Sequence, residues 1–152
     1  MKQARPESRS RPTAAHTPEQ LAYSLLDAAH ALRVRLEEAL QTVELSGAKY
    51  ELLTQLVERG EPLPLSELAV VQQCAPSNIT QLIDRLEAEG LVRRVDDPSD
   101  RRSKRAELTP LGQRRQLAGA RQVQRVQAEF AGALSTAERA ALARGLSAWT
   151  AT

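Results

Sequence analysis

The stretch from Leu65 to Leu108 restricts the possible folds of this chain more than any other part of the sequence. Its pattern of apolar, polar and turn-forming residues predicts a short helix, a turn, a second amphipathic helix and a strand–loop–strand hairpin. The second of these helices has apolar residues at positions i, i+3, i+4 and i+7, namely Ile79, Leu82, Ile83 and Leu86. Such a stripe must be buried against the rest of the domain. The order of these elements predicts a winged helix-turn-helix.

The opposite face of the second helix is polar and carries no bulky apolar group near its N-terminus. The residues predicted to contact DNA from this helix are Ser77, Asn78, Thr80, Gln81 and Arg85. Hydroxyl, amide and guanidinium groups on a helix in the major groove can hydrogen-bond to base edges and phosphates. The same pattern also fits an ordinary surface helix, so the helix alone leaves both interpretations open.

The hairpin that follows favours the nucleic-acid interpretation. Its aspartates are Asp96, Asp97 and Asp100, and they are outnumbered by the basic residues Arg93, Arg94, Arg101, Arg102, Lys104 and Arg105. Runs of charge are usually just solvated surfaces, but a basic hairpin beside a helix of groove size suits phosphate or minor-groove contact. We therefore predict that the partner is double-stranded DNA, with Arg101 and Lys104 as phosphate contacts.

The order and spacing of several segments resemble the MarR family of bacterial transcriptional regulators. These segments are Ser66–Ala69, Ser77–Val92, Asp100–Arg102 and Leu108–Gly112, and the resemblance extends over residues 17–150. It implies that Arg102, at the tip of the wing, enters the minor groove and that Asp100 pairs with it and fixes its orientation. The interpretation without DNA is that Asp100 closes the loop turn and Arg102 is solvated.

The resemblance also implies how such a protein works. It predicts a homodimer that reads a pseudo-palindromic operator, represses a nearby gene or operon and is released by a small aromatic effector. In the family such effectors often bind between the dimer helices and the winged region, which here points to His30, Arg33 and Tyr50 as candidate polar groups. For each residue taken singly, a core-packed tyrosine and a solvated basic side chain are the simpler interpretation.

Two positions depart from the family pattern. Many members have an apolar residue followed by glycine in the turn before the second helix, where this chain has Gln72 and Gln73. The turn must then accommodate Gln73, for example in a conformation that does not require glycine. A basic residue often stands at the position of Gln81, and an amide there would favour adenine over guanine if it reaches a base.

The rest of the chain is predicted to be helical, which makes the fold mainly α with one small β-hairpin wing. We expect a disordered basic tail over residues 1–16, a dimerisation helix over 17–45, the winged helix-turn-helix over 46–108 and C-terminal dimerisation helices over 109–152. Capping and proline patterns predict helix starts at Thr17, Ser46, Thr109 and Ser135. The long first helix is too broadly apolar to be buried against one winged region, which favours a twofold dimer. Closure of a monomeric bundle is the alternative.

Composition and isolated residues argue against several other functions. The chain has no phosphate-binding loop, no dinucleotide fingerprint and no Ser/His/Asp spacing, so we predict that it is not an enzyme. Its histidines, His16 and His30, and its single cysteine, Cys74, do not form a metal site, and we expect no cofactor. No apolar run approaches membrane-spanning length, so the chain is predicted to be cytoplasmic.

Two alternative functions stay open. The lone Cys74 precedes the second helix and is expected to be a buried, inert thiol, whereas a redox-sensing regulator would need an exposed thiolate of low pKa there. A winged helix can also serve as a protein–protein adaptor, which would predict apolar side chains on the outer face of the second helix. Salt-dependent binding to duplex DNA distinguishes a regulator from an adaptor.

Overall fold

The structure is a computed structural model that describes residues 17–73, 75–100 and 103–151. Within these ranges the chain forms six helices and three strands. The helices are α1 (Pro18–Gln41), α2 (Gly47–Arg59), α3 (Leu65–Val71), α4 (Pro76–Ala88), α5 (Pro110–Gly132) and α6 (Thr136–Thr150), and the strands are β1 (Leu63–Pro64), β2 (Val92–Asp96) and β3 (Lys104–Leu108). The chain divides into two compact units, residues 1–31 and 32–152.

The core of the second unit is built from aliphatic side chains of the winged region. Its members with no exposed surface are Leu52, Leu53, Leu68, Ile79, Ile83, Leu86, Leu91 and Ala106. The apolar stripe predicted for α4 is confirmed, although Leu82 packs against this core and is only partly buried. Burying one large aliphatic side chain contributes roughly 1.5–3 kcal/mol. The stripe therefore fixes α4 on the core with its polar face outward.

Backbone geometry sets both ends of α4. Pro76 occupies the first turn, where a missing N–H costs nothing. Gly90, which follows the helix, has φ of 71°, a left-handed conformation that glycine adopts without steric cost. Before the helix, Gln73 has φ of 48°, which is also left-handed. The turn keeps the glycine type of geometry although the residue is a glutamine, so the suggested alternative conformation is not used.

The strands form one antiparallel sheet in the order β1-β3-β2. The hairpin of β2 and β3 was predicted, and its register pairs Arg94 with Ala106 and Asp96 with Lys104. The short strand β1 was not predicted. Leu63 pairs with Ala106 at the edge of the sheet, and a two-residue segment that ends in proline carries no alternation that would reveal it.

Local capping explains where several helices begin. Thr17 Oγ1 accepts a hydrogen bond from the Gln20 N–H, and Gln20 Oε1 accepts one from the Thr17 N–H, which confirms the predicted capping box. Ser46 caps α2, and Thr109 caps α5 by accepting from the Gly112 N–H. Ser135 and Glu138 form the second predicted capping box, at the start of α6. Each cap satisfies backbone N–H groups that have no partner inside the helix.

The start of α5 is packed tightly against the chain that leads into the wing. Thr109 Oγ1 donates to the Gly90 carbonyl oxygen over 2.7 Å. Gly112 lies so close to the Leu91 carbonyl that a Cβ atom at this position would overlap it. Glycine is therefore required here for its lack of a side chain. The contact connects α5 to the strand that begins the hairpin.

The helices near the two ends of the chain expose apolar side chains. Of the described residues of α6 none is buried, and Trp149 is 81% exposed. In the N-terminal part of α1, the exposed apolar residues include Leu21, Tyr23, Leu25 and Leu26. Across the described residues, no helix combines the length and apolar character needed to cross a membrane.

Candidate nucleic-acid interface

The outer face of α4 carries the polar residues that were predicted to contact DNA. Ser77, Asn78, Thr80, Gln81 and Arg85 are all exposed, on the side away from the buried stripe. Thr80 Oγ1 donates to the Pro76 carbonyl oxygen over 3.1 Å, so part of its hydrogen-bonding capacity is used inside the helix. The other four side chains form no hydrogen bond or ion pair with any residue that the structure describes. Their donors and acceptors face outward.

The cations of the hairpin are largely neutralised within the protein. Three ion pairs connect Arg93 to Glu107, Lys104 to Asp96 and Arg105 to Asp97. Arg94 pairs with two carboxylates of α4. Every described basic residue of the hairpin thus has an acidic partner, and these pairs reduce the local cationic excess that the sequence predicts for the hairpin. Any excess of positive charge depends on Arg101 and Arg102, which lie outside the described residues.

Asp97 closes the base of the hairpin loop. Its Oδ1 accepts from the Ser99 N–H at 2.8 Å and from the Ser99 hydroxyl at 2.6 Å, while Oδ2 accepts from Arg105 Nε at 2.7 Å. The Arg105 guanidinium, followed by the two groups of Ser99, holds the pKa of this carboxyl well below its usual range. Only 6% of Asp97 is exposed. Sequence reasoning counted Asp97 as a surface charge because its partners became apparent only with the fold.

Arg94 reaches from β2 to the C-terminal half of α4. Its Nη1 donates to Glu87 Oε2 and its Nη2 donates to Asp84 Oδ1, both at 2.6 Å. The backbone N–H of Arg94 donates to Glu87 Oε1 at 2.9 Å. This backbone hydrogen bond is the main reason why the pKa of Glu87 lies below its ordinary value. Sequence reasoning grouped Arg94 with the other basic residues of the hairpin and missed this link.

The predicted contacts of the wing are only partly visible. Lys104 is half exposed and paired with Asp96, so a phosphate contact would compete with that pair. The Asp100 carbonyl oxygen accepts from the Ser103 N–H over 2.9 Å. The proposed pair of Asp100 with Arg102 and the phosphate contact of Arg101 involve residues outside the described ranges, and they stay predictions. The same holds for Cys74 and for the tail over residues 1–16.

Comparison with known proteins places this geometry in a family. The model of the MarR family matches residues 45–104. AbsC, a MarR family transcriptional regulator from Streptomyces coelicolor, is 30% identical, with a TM-score of 0.73 over 88% of this chain and 93% of AbsC. The chain belongs to the MarR family. This confirms the resemblance noted in the sequence and the mainly α winged helix-turn-helix fold.

This MarR-family chain is also similar to a curated regulator and to a further solved structure. YsmB, an HTH-type transcriptional regulator of Bacillus subtilis, is 35% identical over 91 residues, which span 60% of this chain and 62% of YsmB. The chain thus covers less than two thirds of that relative. A mutant MarR from E. coli, complexed with operator DNA, has the same fold at 23% identity, with a TM-score of 0.71 over 84% of this chain and 91% of that protein. The members of the MarR family are transcription regulators and not enzymes, as was predicted for this chain.

The residues predicted to bind an effector lie in different parts of this MarR-family chain. His30 belongs to the first unit, whereas Arg33 and Tyr50 belong to the second, and both basic side chains are exposed. Tyr50 is half-buried and packs against the core. Its ring also lies so close to Gly119 of α5 that a Cβ atom there would be 2.8 Å from it.

Tyr50 also borders a cleft of about 460 Å³ between α2 and the turn that follows α3. The cleft is lined by Tyr50, Glu51, Thr54, Gln55, Glu58, Val71, Gln72 and Gln73. Two amide atoms on its walls, Gln55 Oε1 and Gln72 Nε2, are buried and have no hydrogen-bond partner in the described structure. Buried polar atoms normally find a partner, so this wall has unused hydrogen-bonding capacity. Among the described residues, no group of histidine, cysteine and acidic side chains could hold a metal ion.

Proposed function

We propose that this MarR-family chain is a homodimeric, sequence-specific DNA-binding repressor of a nearby gene or operon. The observation that carries the proposal is the outer face of α4, where Ser77, Asn78, Gln81 and Arg85 keep their polar groups available while the opposite face packs on the core. A helix that enters the major groove needs both properties, a rigid support and outward donors and acceptors. The operator complex of the E. coli MarR variant supports the same use of the fold.

The exposed apolar helices support the dimeric part of the proposal. Leu142, Leu146 and Trp149 lie on α6, and α1 exposes Leu21 and Leu26, which are 62% and 64% exposed. Side chains of this size on a solvated helix indicate an interaction surface. A twofold dimer would cover them with the same surfaces of a second copy and would present two recognition helices to a pseudo-palindromic operator.

The polar outer face of α4 argues against the protein–protein adaptor. An adaptor would require an apolar surface on this helix, and Ser77, Asn78 and Gln81 supply hydroxyl and amide groups instead. In the groove, a bidentate amide contact discriminates between bases by roughly 1–3 kcal/mol. We therefore assign sequence preference to Asn78 and Gln81 and phosphate contact to Arg85, Arg101 and Lys104. Arg102, oriented by Asp100, supplies the contact of the wing tip.

The cleft beside Tyr50 is the basis for the proposed effector. An aromatic ring, an apolar Val71 side chain and two unsatisfied amide atoms suit a small aromatic molecule that can both donate and accept hydrogen bonds. The cleft wall includes Gln72 and Gln73 of the turn that leads into α4. An occupant would therefore contact the segment that positions the recognition helix, which provides a route from effector binding to release of the operator.

DNA binding is tested with the duplex upstream of the gene itself and with a scrambled duplex of equal length and composition. Fluorescence anisotropy at increasing salt should show a preference for the upstream duplex of about 10³-fold or more and a steep loss of affinity with salt. Equal affinity for both duplexes, or binding that does not respond to salt, would contradict the proposal. Sedimentation of the same samples should show a dimer at micromolar concentration.

The effector is tested on the operator complex with phenolic compounds and with two matched tyrosine variants. Tyr50→Phe removes only the hydroxyl of a tyrosine that lines the cleft, and Tyr23→Phe makes the same change at an exposed tyrosine of α1. A phenolic compound should weaken operator binding of the parent and of Tyr23→Phe, and it should act less on Tyr50→Phe. If no compound changes operator affinity while DNA binding is intact, the effector part of the proposal fails.

A further inference from the structure

Arg94 connects the hairpin to the recognition helix through hydrogen bonds of both its side chain and its backbone. Its guanidinium donates to the carboxylates of Asp84 and Glu87 and, over 3.4 Å, to the Thr80 carbonyl oxygen. Its backbone N–H donates to Glu87 as well. Side-chain and main-chain groups of one residue on β2 are therefore held by three residues of α4. Hydrogen bonds between ionised groups are about twice as strong as neutral ones, and the planar guanidinium fixes their direction.

The neighbouring ion pairs do not connect the same elements. Arg93 precedes Arg94 on β2 and pairs with Glu107 directly opposite on β3. Lys104 pairs with Asp96, which is also its partner in the register of the hairpin. These pairs hold one strand of the wing to the other. Arg94 is the basic residue of the described hairpin whose partners lie on α4.

The charge of Arg94 is used within the protein. Its side chain is only 23% exposed, and both carboxylates lie within hydrogen-bonding distance of its guanidinium. A phosphate could recruit this side chain only by breaking contacts with Asp84 or Glu87. The two carboxylates, in turn, place negative charge on the helix that is proposed to enter a polyanion, which by itself opposes DNA binding. Their presence there needs a reason other than attraction of DNA.

We propose that Arg94 is a positioning residue that sets the wing at a fixed place relative to α4, so that both contact their grooves on the same operator. The inference rests on the proposed DNA-binding function and assigns to Asp84 and Glu87 the role of anchors for Arg94. A wing that is not anchored must be ordered when DNA binds, and this ordering reduces affinity. Anchoring removes that cost before the encounter.

Whether Glu87→Gln raises or lowers the affinity for DNA distinguishes a positioning role from a purely electrostatic one. Removing a negative charge from the recognition helix should increase affinity for any duplex if the carboxylate does nothing else. As an anchor, Glu87 is needed for specific binding. We expect Glu87→Gln and Arg94→Gln each to lower operator affinity about tenfold, the effect of losing one charge-assisted hydrogen bond, with little change for a scrambled duplex. Arg94→Lys should recover only part of the loss, because an ammonium cannot hold both carboxylates in the same plane.

Arg93→Gln is the matched control, because it removes the same charge one residue away. It should lower affinity for operator and scrambled duplex by similar small factors. The salt dependence gives a second criterion: a phosphate contact at Arg94 would lower the salt slope by about one unit on removal, whereas a positioning residue leaves it unchanged. Urea unfolding of each variant shows whether the domain stays folded. If Arg94→Gln unfolds, Asp84→Asn replaces it in the binding experiments, because this change weakens only the contact of Arg94 with the more exposed of the two carboxylates.

A double variant that also changes Arg102 at the wing tip completes the test. If Arg94 acts by placing the wing, then Arg94→Gln should cost little operator affinity in a chain that already carries Arg102→Ala, and the two losses should not add. Additive losses, a lower salt slope for Arg94→Gln, or tighter operator binding by Glu87→Gln would each overturn the inference. A parent protein that shows no salt-dependent DNA binding would instead refute the proposed function itself.

Discussion

The recognition helix α4 and the last helix α6 are similar in length, with 13 and 15 residues, and they differ in what their apolar side chains contact. α4 buries Ile79, Ile83 and Leu86 completely against its own chain. Within α6 no described residue is buried, and Leu142, Leu146 and Trp149 are exposed. The core stripe of α4 is therefore covered by its own chain, whereas the apolar side chains of α6 are not covered by any residue that the structure describes.

A second contrast, between the hairpin and the outer face of α4, concerns the pairing of charged and polar groups. In the hairpin, each described basic residue is neutralised by an acidic partner, while the side chains of Ser77, Asn78, Gln81 and Arg85 on the outer face of α4 have no partner among the described residues. A region whose charges are paired is rigid, and a region with unpaired polar groups is ready to bind. The winged region thus combines a buried support with one polar face available to DNA, and α6 is the surface that we propose for a second copy.

The largest effect is expected from shortening a core side chain of α4. Ile83→Ala leaves a cavity at a position with no exposed surface and should lower the free energy of unfolding by about 2–5 kcal/mol. Leu146→Ala on α6 is the matched change, and in the monomer it should cost very little. Urea unfolding at low protein concentration measures both. Equal losses in the free energy of unfolding for the two variants would show that α4 and α6 do not differ in how far their apolar side chains are buried.

Charges on α6 should separate dimerisation from folding. The double variant Leu142→Asp with Leu146→Asp places carboxylates on the exposed apolar side of the helix, which would be buried and unpaired in a dimer. We expect a folded monomer in sedimentation experiments and a loss of operator affinity on the order of a hundredfold, because the second half-site no longer adds to binding. Arg144→Asp, on an exposed position of the same helix, controls for the added charge. A dimer that persists in the double variant would show that the interface does not include Leu142 and Leu146.

The base of the wing should respond to acid through Asp97. Its pKa is lower in the folded chain than in the unfolded chain, so it stabilises the fold fully above the unfolded value of about 3.9. This contribution is lost as the pH falls below that value toward the pKa of the folded state. Protection factors for hydrogen exchange at the amides of Asp97 and Ser99 should be lower at pH 3 than at pH 5 in the parent. Asp97→Asn should be looser at both values, and its smaller dependence on pH identifies Asp97 as the titrating group.

The smallest effect is expected at the turn before α4. Gln73 has a positive φ, which costs a residue with a side chain roughly 1–2 kcal/mol and glycine almost nothing. Gln73→Gly should therefore raise the free energy of unfolding, by about 0.5–1 kcal/mol after the greater freedom of glycine in the unfolded chain is included. Thermal unfolding measures the shift. A destabilised variant would show that the glutamine side chain contributes more than the strained backbone costs.

Local patterns in the amino-acid sequence were enough to predict the elements that depend on neighbouring residues. The spacing of Ile79, Ile83 and Leu86 predicts which face of α4 is buried, and the capping boxes at Thr17 and Ser135 predict where two helices start. The exposed polar face of α4 follows from the same spacing. These features are local because a helix repeats every 3.6 residues, so a short window contains both the stripe and its opposite face.

Features that join distant residues were decided only by the tertiary structure. The strand β1 exists because Leu63 meets Ala106, and the buried Asp97 has its partner eight residues away across the hairpin. In the sequence Arg94 cannot be distinguished from the other basic residues of the hairpin. Only the packing of β2 beside α4 brings Arg94 into contact with Asp84 and Glu87. No local pattern encodes such pairs, because their energy depends on the distance between elements after packing. The exposed face of α6 is the complementary case, because its apolar residues are evident in the sequence and no other residue that the structure describes buries them.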